Sequence, residues 1–340
     1  MWIKRFKMSM RIRYISSVSP YIRISSMAAM YGIALTHVAA VVVGIWAHST
    51  LYCKNLELSV SYGAGTYNGT AERSFTEWFS PVRLKRLAEV RRREFRAAQP
   101  FPHTVIDDFL DPEVVRAVAK EFQESNYHSQ CGHDRDRHLS RDTVACFYKP
   151  QANENKEFRK LAVLNEAAMG PYTRLVFALL KSSLFVRFLE EMSGIEGLVA
   201  DPHFRGSGLH ETEPGGFLRV HADFNQYPRY ALDRRVNVFL FLNEEWDDAW
   251  GGHLELWPRN MSQCAKNIRP TFNRLVAFRS SDFSYHGYTE PLTSPVPRRS
   301  LSLYYYTHGR PKGESVTDFA GGKHTTLWQT PSGKCEKPPE

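Results

Sequence analysis

The stretch Pro214-Gly215-Gly216-Phe217-Leu218-Arg219-Val220-His221-Ala222-Asp223 decides how this chain is read. Pro-Gly-Gly signals a turn, and Phe217 to Asp223 after it reads as a β-strand. Side chains two apart on a strand leave from the same side. His221 and Asp223 therefore offer one imidazole nitrogen and one carboxylate oxygen to a single point above a sheet. In a chain with 13 histidines such a tripeptide also arises by accident, so a third ligand must come from a distant segment. His286, in Asp282-Phe283-Ser284-Tyr285-His286-Gly287, is the candidate, just after the apolar strand Leu275-Val276-Ala277-Phe278. Two imidazoles and one carboxylate on one face of iron leave open positions for a chelating co-substrate and O2. The chain has no HExxH, no zinc-ribbon spacing and no Gly-rich phosphate loop, which argues against zinc-hydrolase and nucleotide-binding chemistries.

Some twelve residues after His286, Arg298 opens the run Arg298-Arg299-Ser300-Leu301-Ser302-Leu303-Tyr304-Tyr305-Tyr306-Thr307. Strand alternation puts Arg298, Ser300, Ser302 and Tyr304 on one face, and Leu301, Leu303 and Tyr305 on the other. A polar face headed by a guanidinium suits a dicarboxylate, with a serine hydroxyl assisting. Arg299 is the rival cation, but it points away from Ser300.

Working outward, further short strands are expected at Thr104–Phe109, Arg235–Leu242, Gly252–Trp257 and Arg274–Phe278, separated by Gly, Pro, Asn and Asp clusters. Helices are expected after the cap and proline Asp111-Pro112, over Phe158–Ala168, over Pro171–Leu180, and over Ser183–Met192 up to Gly194. Gly251-Gly252 suggests close backbone approach, and Leu254 is read as either a site-lining or a core residue. His253 and His308 are read as structural. Helices followed by strands imply an α+β protein: an antiparallel jelly roll with supporting N-terminal helices. The divisions are a leader and linker over 1–73, a helical support region with the first strand over 74–200, the strand-rich core over 201–330, and a tail over 331–340.

The 340 residues carry a net charge of +8, unevenly placed. Arg83 to Arg96 reads as a solvated helix face, so nucleic acid is not expected as a partner. The interleaved charges of His133 to His138 read as a solvated loop. The five cysteines are scattered and read as free thiols. Before Glu57 there is no acidic residue, and a basic leader precedes the apolar run of residues 27–47. Three readings fit that segment: a single-span membrane anchor, an organelle transit peptide, or upstream sequence without a role. Ser59 to Thr70 has the look of a linker. Location stays open between a cytoplasmic-type catalytic domain and an anchored one.

Residues of about 100 to 330 resemble the prolyl 4-hydroxylase-like branch of the 2-oxoglutarate/Fe(II)-dependent dioxygenase superfamily. The resemblance is carried by Gly206 to His210, Gly215 to Phe224, Arg234 to Asn243, Gly251 to Trp257, the pair His286-Gly287, and Arg298 to Thr307. It implies a double-stranded β-helix, His221, Asp223 and His286 as iron ligands, and Arg298 as the 2-oxoglutarate anchor. It also implies Fe(II), 2-oxoglutarate and O2 as cofactor and co-substrates, with ascorbate as an optional reductant, in a hydroxylation of an unactivated C–H bond. Some prolyl hydroxylases carry a tyrosine near the co-substrate where this chain has Phe239 and Phe241, so the second polar contact falls to Asn237 or His210, with Ser300 as a further one. The competing classes are a hydroxylase of a small molecule or glycan, a non-catalytic metal-binding jelly roll, and a membrane-anchored interaction protein with a degenerate barrel. Substrate specificity would reside in loops such as Gln226–Arg234 and Asp247–Trp250.

Overall fold

The computed structural model describes residues 77–125, 127, 132–133, 146–149, 156–311, 314 and 323–336. The leader, the apolar run of residues 27–47, the Ser59 to Thr70 linker and most of the His133 to His138 loop lie outside the described residues. Among the described residues no helix is long and apolar enough to cross a membrane.

The helices form where the caps and stripes place them. Helix α1 (Pro81–Ala97) starts where the Ser80 hydroxyl accepts from the Arg83 amide, and α2 (Pro112–Glu124) where Asp111 accepts from the Glu113 amide. Each carries proline in its first turn. On α1 only Leu84, Ala88 and Phe95 are buried, while Lys85, Arg86, Arg93 and Arg96 are exposed, so its basic run is a solvated face. Helix α3 (Pro171–Lys181) runs into α4 (Ser183–Ser193), which Gly194 ends in the left-handed conformation at φ +74°.

The strands are β1 (His103–Ile106), β2 (Gly132–His133), β3 (Cys146–Lys149), β4 (Glu157–Val163), β5 (Val199–Ala200), β6 (Gly208–Ala222) and β7 (Gln226–Tyr227). They continue with β8 (Leu232–Phe241), β9 (Leu254–Trp257), β10 (Lys266–Ile268), β11 (Leu275–Arg279), β12 (Tyr285–Tyr288), β13 (Arg298–Thr307) and β14 (Leu327–Trp328). The main path of the sheet runs β1-β11-β8-β13-β6-β12-β9-β10, antiparallel throughout. It curls into the jelly roll expected of an α+β double-stranded β-helix, with the helices on its outer face.

Strand β6 makes the curl possible. Its first half pairs with β13 and its second half with β12, so one strand serves two parts of the sheet. The bend falls at Gly215 (φ +81°) and Gly216, where an added Cβ would sit 2.7 Å from the Phe158 carbonyl oxygen. Pro214-Gly215-Gly216 is therefore a corner inside a continuous strand, and the expectation of a turn before a separate strand is corrected.

Two further expectations are overturned. Phe158–Ala168 is not a helix: β4 occupies Glu157–Val163, followed by a single 3-10 turn at Glu166–Ala168. The spacing of Phe158, Leu161 and Ala162 mimics a helical stripe, but both edges of this segment are taken by partner strands, β3 and β6. With ladder bonds on both sides, tertiary pairing outweighs local propensity. Cys264 and Cys335 are not free thiols but a disulfide with Cα atoms 4.6 Å apart, between residues whose 71-residue separation no local pattern reveals.

The alternation on β13 holds. Leu301, Leu303 and Tyr305 join the main core with α3, α4 and Phe109, while Arg298, Ser300, Ser302 and Tyr304 turn the other way. Phe185 is fully buried at the centre of that core, its ring contacting those of Phe79, Phe109, Phe188 and Tyr305. Phe185→Ala is expected to cost about 3–5 kcal/mol of unfolding free energy by urea titration. A loss below about 1 kcal/mol would mean that the helices do not dock on the sheet as described.

Candidate active site

His221 and His286 are direct cross-strand partners on β6 and β12, with ring centroids 4.5 Å apart. Asp223 follows at the end of β6. Its Oδ1 lies 3.5 Å from His221 Nε2, and its Oδ2 lies 3.5 Å from His286 Nε2. One potential ligand atom from each residue falls within 4.8 Å of the others. Three cis ligands on bonds of about 2.1 Å sit about 3 Å apart, so the spacing suits one ion.

The tautomers suit it as well. His221 Nδ1 lies 2.9 Å from the Arg219 carbonyl and His286 Nδ1 lies 2.9 Å from the Ser284 carbonyl. Each carbonyl can only accept, so Nδ1 carries the proton and Nε2 keeps its lone pair for metal. Burial, then the neighbouring His221 ring, pushes His286 down to about 3, which keeps it neutral at physiological pH.

Asp223 is held by two residues of β8. Arg234 Nη2 donates to Oδ2 at 2.8 Å and Asn237 Nδ2 to the same oxygen at 2.7 Å, while Arg234 Nε donates to Asn237 Oδ1 at 2.7 Å. Burial alone would favour a protonated acid, but the Arg234 guanidinium 2.8 Å away holds Asp223 well below the usual carboxylate range. Arg234 in turn stacks on Tyr304, 3.2 Å from the ring centroid. The side chain of Asn237 is thus engaged with Asp223 and Arg234. Sequence reasoning had placed it beside the co-substrate, and it missed Arg234 altogether, whose signal was one arginine of the pair Arg234-Arg235 near the head of a strand.

A cavity of about 590 Å³ opens on His221 and Asp223. Lys160, His210, Tyr304 and Arg234 line it beside His221 and Asp223, and Phe224, Tyr227 and Trp328 add aromatic wall. Trp328 comes from β14, which pairs with β6 so that its ring lies 5.0 Å from that of His221.

Arg298 is buried and does not line this cavity. Its Nε donates to the Gly252 carbonyl at 2.6 Å, and its guanidinium lies between the rings of Tyr288 (4.5 Å) and Phe241 (4.9 Å). Gly252, at φ +68°, makes room for it, since a Cβ there would come within 3.1 Å of Arg298 Cδ. Burial lowers the Arg298 pKa, yet an arginine stays charged. No carboxylate pairs with it among the described residues. Arg299 points to the opposite face and pairs with Glu211 at 2.6 Å. Ser300 is buried on the Arg298 face, opposite His210. Leu254 belongs to the core cluster with Phe241 and Phe278 and does not line the cavity.

With this geometry in place, the comparisons with known proteins can be read. The model of the 2OG-Fe(II) oxygenase superfamily matches residues 207–306. Residues 207–306 belong to the 2OG-Fe(II) oxygenase superfamily. That span holds His221, Asp223, His286, Arg298, Arg234 and Asn237, so the triad is the iron site of an oxygenase core. The chain is 24% identical over 212 residues to a prolyl 3-hydroxylase of Mus musculus, a match covering 61% of this chain and 33% of the relative. The chain thus spans about a third of the length of that curated relative. Among solved structures it is similar to a Pseudomonas putida prolyl-4-hydroxylase (20% identity, 66% of this chain and 100% of that one, TM-score 0.43). It is also similar to a Trichoplax adhaerens prolyl hydroxylase in complex with a peptide fragment (16% identity, 66% of this chain and 91% of that one, TM-score 0.43).

Two predictions follow from the site's electrostatics. Removing a partner of Asp223 with Asn237→Leu should weaken Fe(II) binding about 10- to 100-fold in anaerobic titration; unchanged affinity would remove Asn237 from the support of the site. His210, cavity-facing with no partner for its Nε2 among the described residues, is pushed down to about 3, chiefly by burial and then by Lys160. Its folded value lies below its unfolded 6.5, so stability present above pH 6.5 is lost as pH falls toward 3, by up to about 1.4 kcal/mol per unit. Urea titrations of metal-free protein at pH 7 and pH 5 should therefore show a smaller drop in His210→Asn than in wild type; an equal drop would contradict a neutral buried His210.

Proposed function

We propose that this chain is a 2-oxoglutarate- and Fe(II)-dependent hydroxylase of the prolyl-hydroxylase type, acting on an unactivated C–H bond. The observation that carries the reading is the His221–Asp223–His286 triad, with pre-set tautomers and with His221 and Asp223 lining a cavity, together with a buried Arg298 guanidinium that pairs with no described carboxylate. A passive metal-binding jelly roll has no use for such a cation.

Fe(II), once bound, supplies the oxidising chemistry with 2-oxoglutarate and O2, yielding succinate, CO2 and a hydroxylated substrate. The protein's residues supply position and charge. Arg234 and Asn237 fix the orientation and ionisation of Asp223. The Nδ1–carbonyl contacts aim both imidazoles. Arg298 supplies charge for the far carboxylate of the co-substrate, with Ser300 beside it. Retention of Asp223 favours hydroxylation over halogenation, which needs that ligand position vacated. Phe224, Tyr227 and Trp328 give the cavity flat apolar walls against which a pyrrolidine ring can pack. A prolyl residue is accordingly the favoured substrate class, and a small molecule or glycan the second.

Anaerobic addition of Fe(II) and 2-oxoglutarate to purified protein should give a weak visible charge-transfer band that His221→Ala abolishes, and admission of O2 should yield succinate without added substrate. Fully iron-loaded wild type giving neither band nor succinate would contradict the reading. Arg298→Met should raise the 2-oxoglutarate requirement at least tenfold with iron stoichiometry unchanged; an unaltered requirement would take the anchoring role from Arg298.

A further inference from the structure

Lys160 stands on β4 opposite Thr212 of β6, and Thr212 stands opposite Arg298 of β13. Residues in register across adjacent strands project from the same face. Lys160, Thr212 and Arg298 therefore form one row, with a cation at either end. The row is tied together by Tyr288, whose hydroxyl is 2.7 Å from Thr212 Oγ1 and whose ring lies against the Arg298 guanidinium.

The two cations differ in access. Arg298 is buried, does not line the cavity and has one donor committed to the Gly252 carbonyl, whereas Lys160 lines it. Its side chain is 19% exposed, and its nearest acid, Glu157, is 3.8 Å away, beyond hydrogen-bond length. Among the described residues the ammonium makes no hydrogen bond, which leaves three donors for a ligand. Burial opposes its charge, but Tyr288, then Glu157 and Tyr304, raise its pKa, so it stays an ammonium. His210, whose buried Nε2 has no partner among the described residues, lines the same cavity.

The geometry points to Lys160 as a second, cavity-facing cation for the far carboxylate of the dicarboxylate co-substrate, which would be held between Lys160 and Arg298. This rests on the oxygenase reading above and adds to it a binding residue from β4, outside the 207–306 family match. A carboxylate can take a bidentate fork from a guanidinium on one side and a point charge from an ammonium on the other. Lys160 would then select for the charge at the far end of the chain rather than for the 2-oxo acid group at the iron.

The test compares 2-oxoglutarate with 2-oxopentanoate, a 2-oxo acid of equal length lacking the far carboxylate, by calorimetric titration of Mn(II)-loaded full-length protein without O2. Lys160→Met should raise the Kd for 2-oxoglutarate about 10- to 100-fold and leave that for 2-oxopentanoate within twofold. Lys160→Arg, which keeps the charge, should recover most of the loss. Glu157→Gln, which removes the competing acid, should tighten 2-oxoglutarate binding. Equal weakening of both compounds by Lys160→Met, or of neither, would overturn the assignment. Loss of Mn(II) stoichiometry in Lys160→Met with 2-oxoglutarate affinity unchanged in Glu157→Gln would overturn it too, marking Lys160 as structural. Wild-type protein that holds Mn(II) but binds neither compound would instead bring down the oxygenase reading, and this assignment with it.

Discussion

Antiparallel pairing between β6 and β12 sets His221 directly against His286, and the rest of the site is arranged around that pair. Two imidazoles from segments far apart in the chain come within ligand distance only because β6 bends at Gly215 and Gly216 and changes partners from β13 to β12. The same bend lets β13 approach the first half of β6, which brings Arg298 and Thr212 into register. The triad and the register of Arg298 with Thr212 are thus two consequences of one strand crossing a corner. Rigid strands hold such geometry better than loops do.

Charge balance is the second constraint. A buried carboxylate beside two imidazoles would be costly to ionise without compensation. Arg234 and Asn237, both from β8, supply that compensation through Oδ2 of Asp223, leaving Oδ1, 3.5 Å from His221 Nε2, without those donors. Arg234 is itself desolvated, and its stacking on Tyr304 connects the iron site to the strand that carries Arg298.

The sequence exposes the parts of this design that follow strand period, and hides those that depend on which strands meet. His221 with Asp223, and Arg298 with Ser300, are legible because alternation assigns faces within one strand. His286 was reachable as the histidine after an apolar strand. Asn237 was placed in the right neighbourhood, but its partners, Asp223 and Arg234, depend on the β8 register. Lys160 was hidden because β4 reads as a helix when its apolar spacing is taken alone, and only pairing with β3 and β6 turns Lys160 toward the cavity. The Cys264–Cys335 disulfide and the approach of Trp328 to His221 were hidden for the same reason, being contacts of the C-terminal segment with distant strands.

The central claim is that His221, Asp223 and His286 jointly hold one ferrous ion. Iron K-edge X-ray absorption of the anaerobic Fe(II)-loaded protein tests it most directly. The account predicts an all-nitrogen/oxygen ligand shell with scattering from two imidazoles, falling to one in His286→Ala. A wild-type spectrum without imidazole scattering, or one that His286→Ala leaves unchanged, would contradict it.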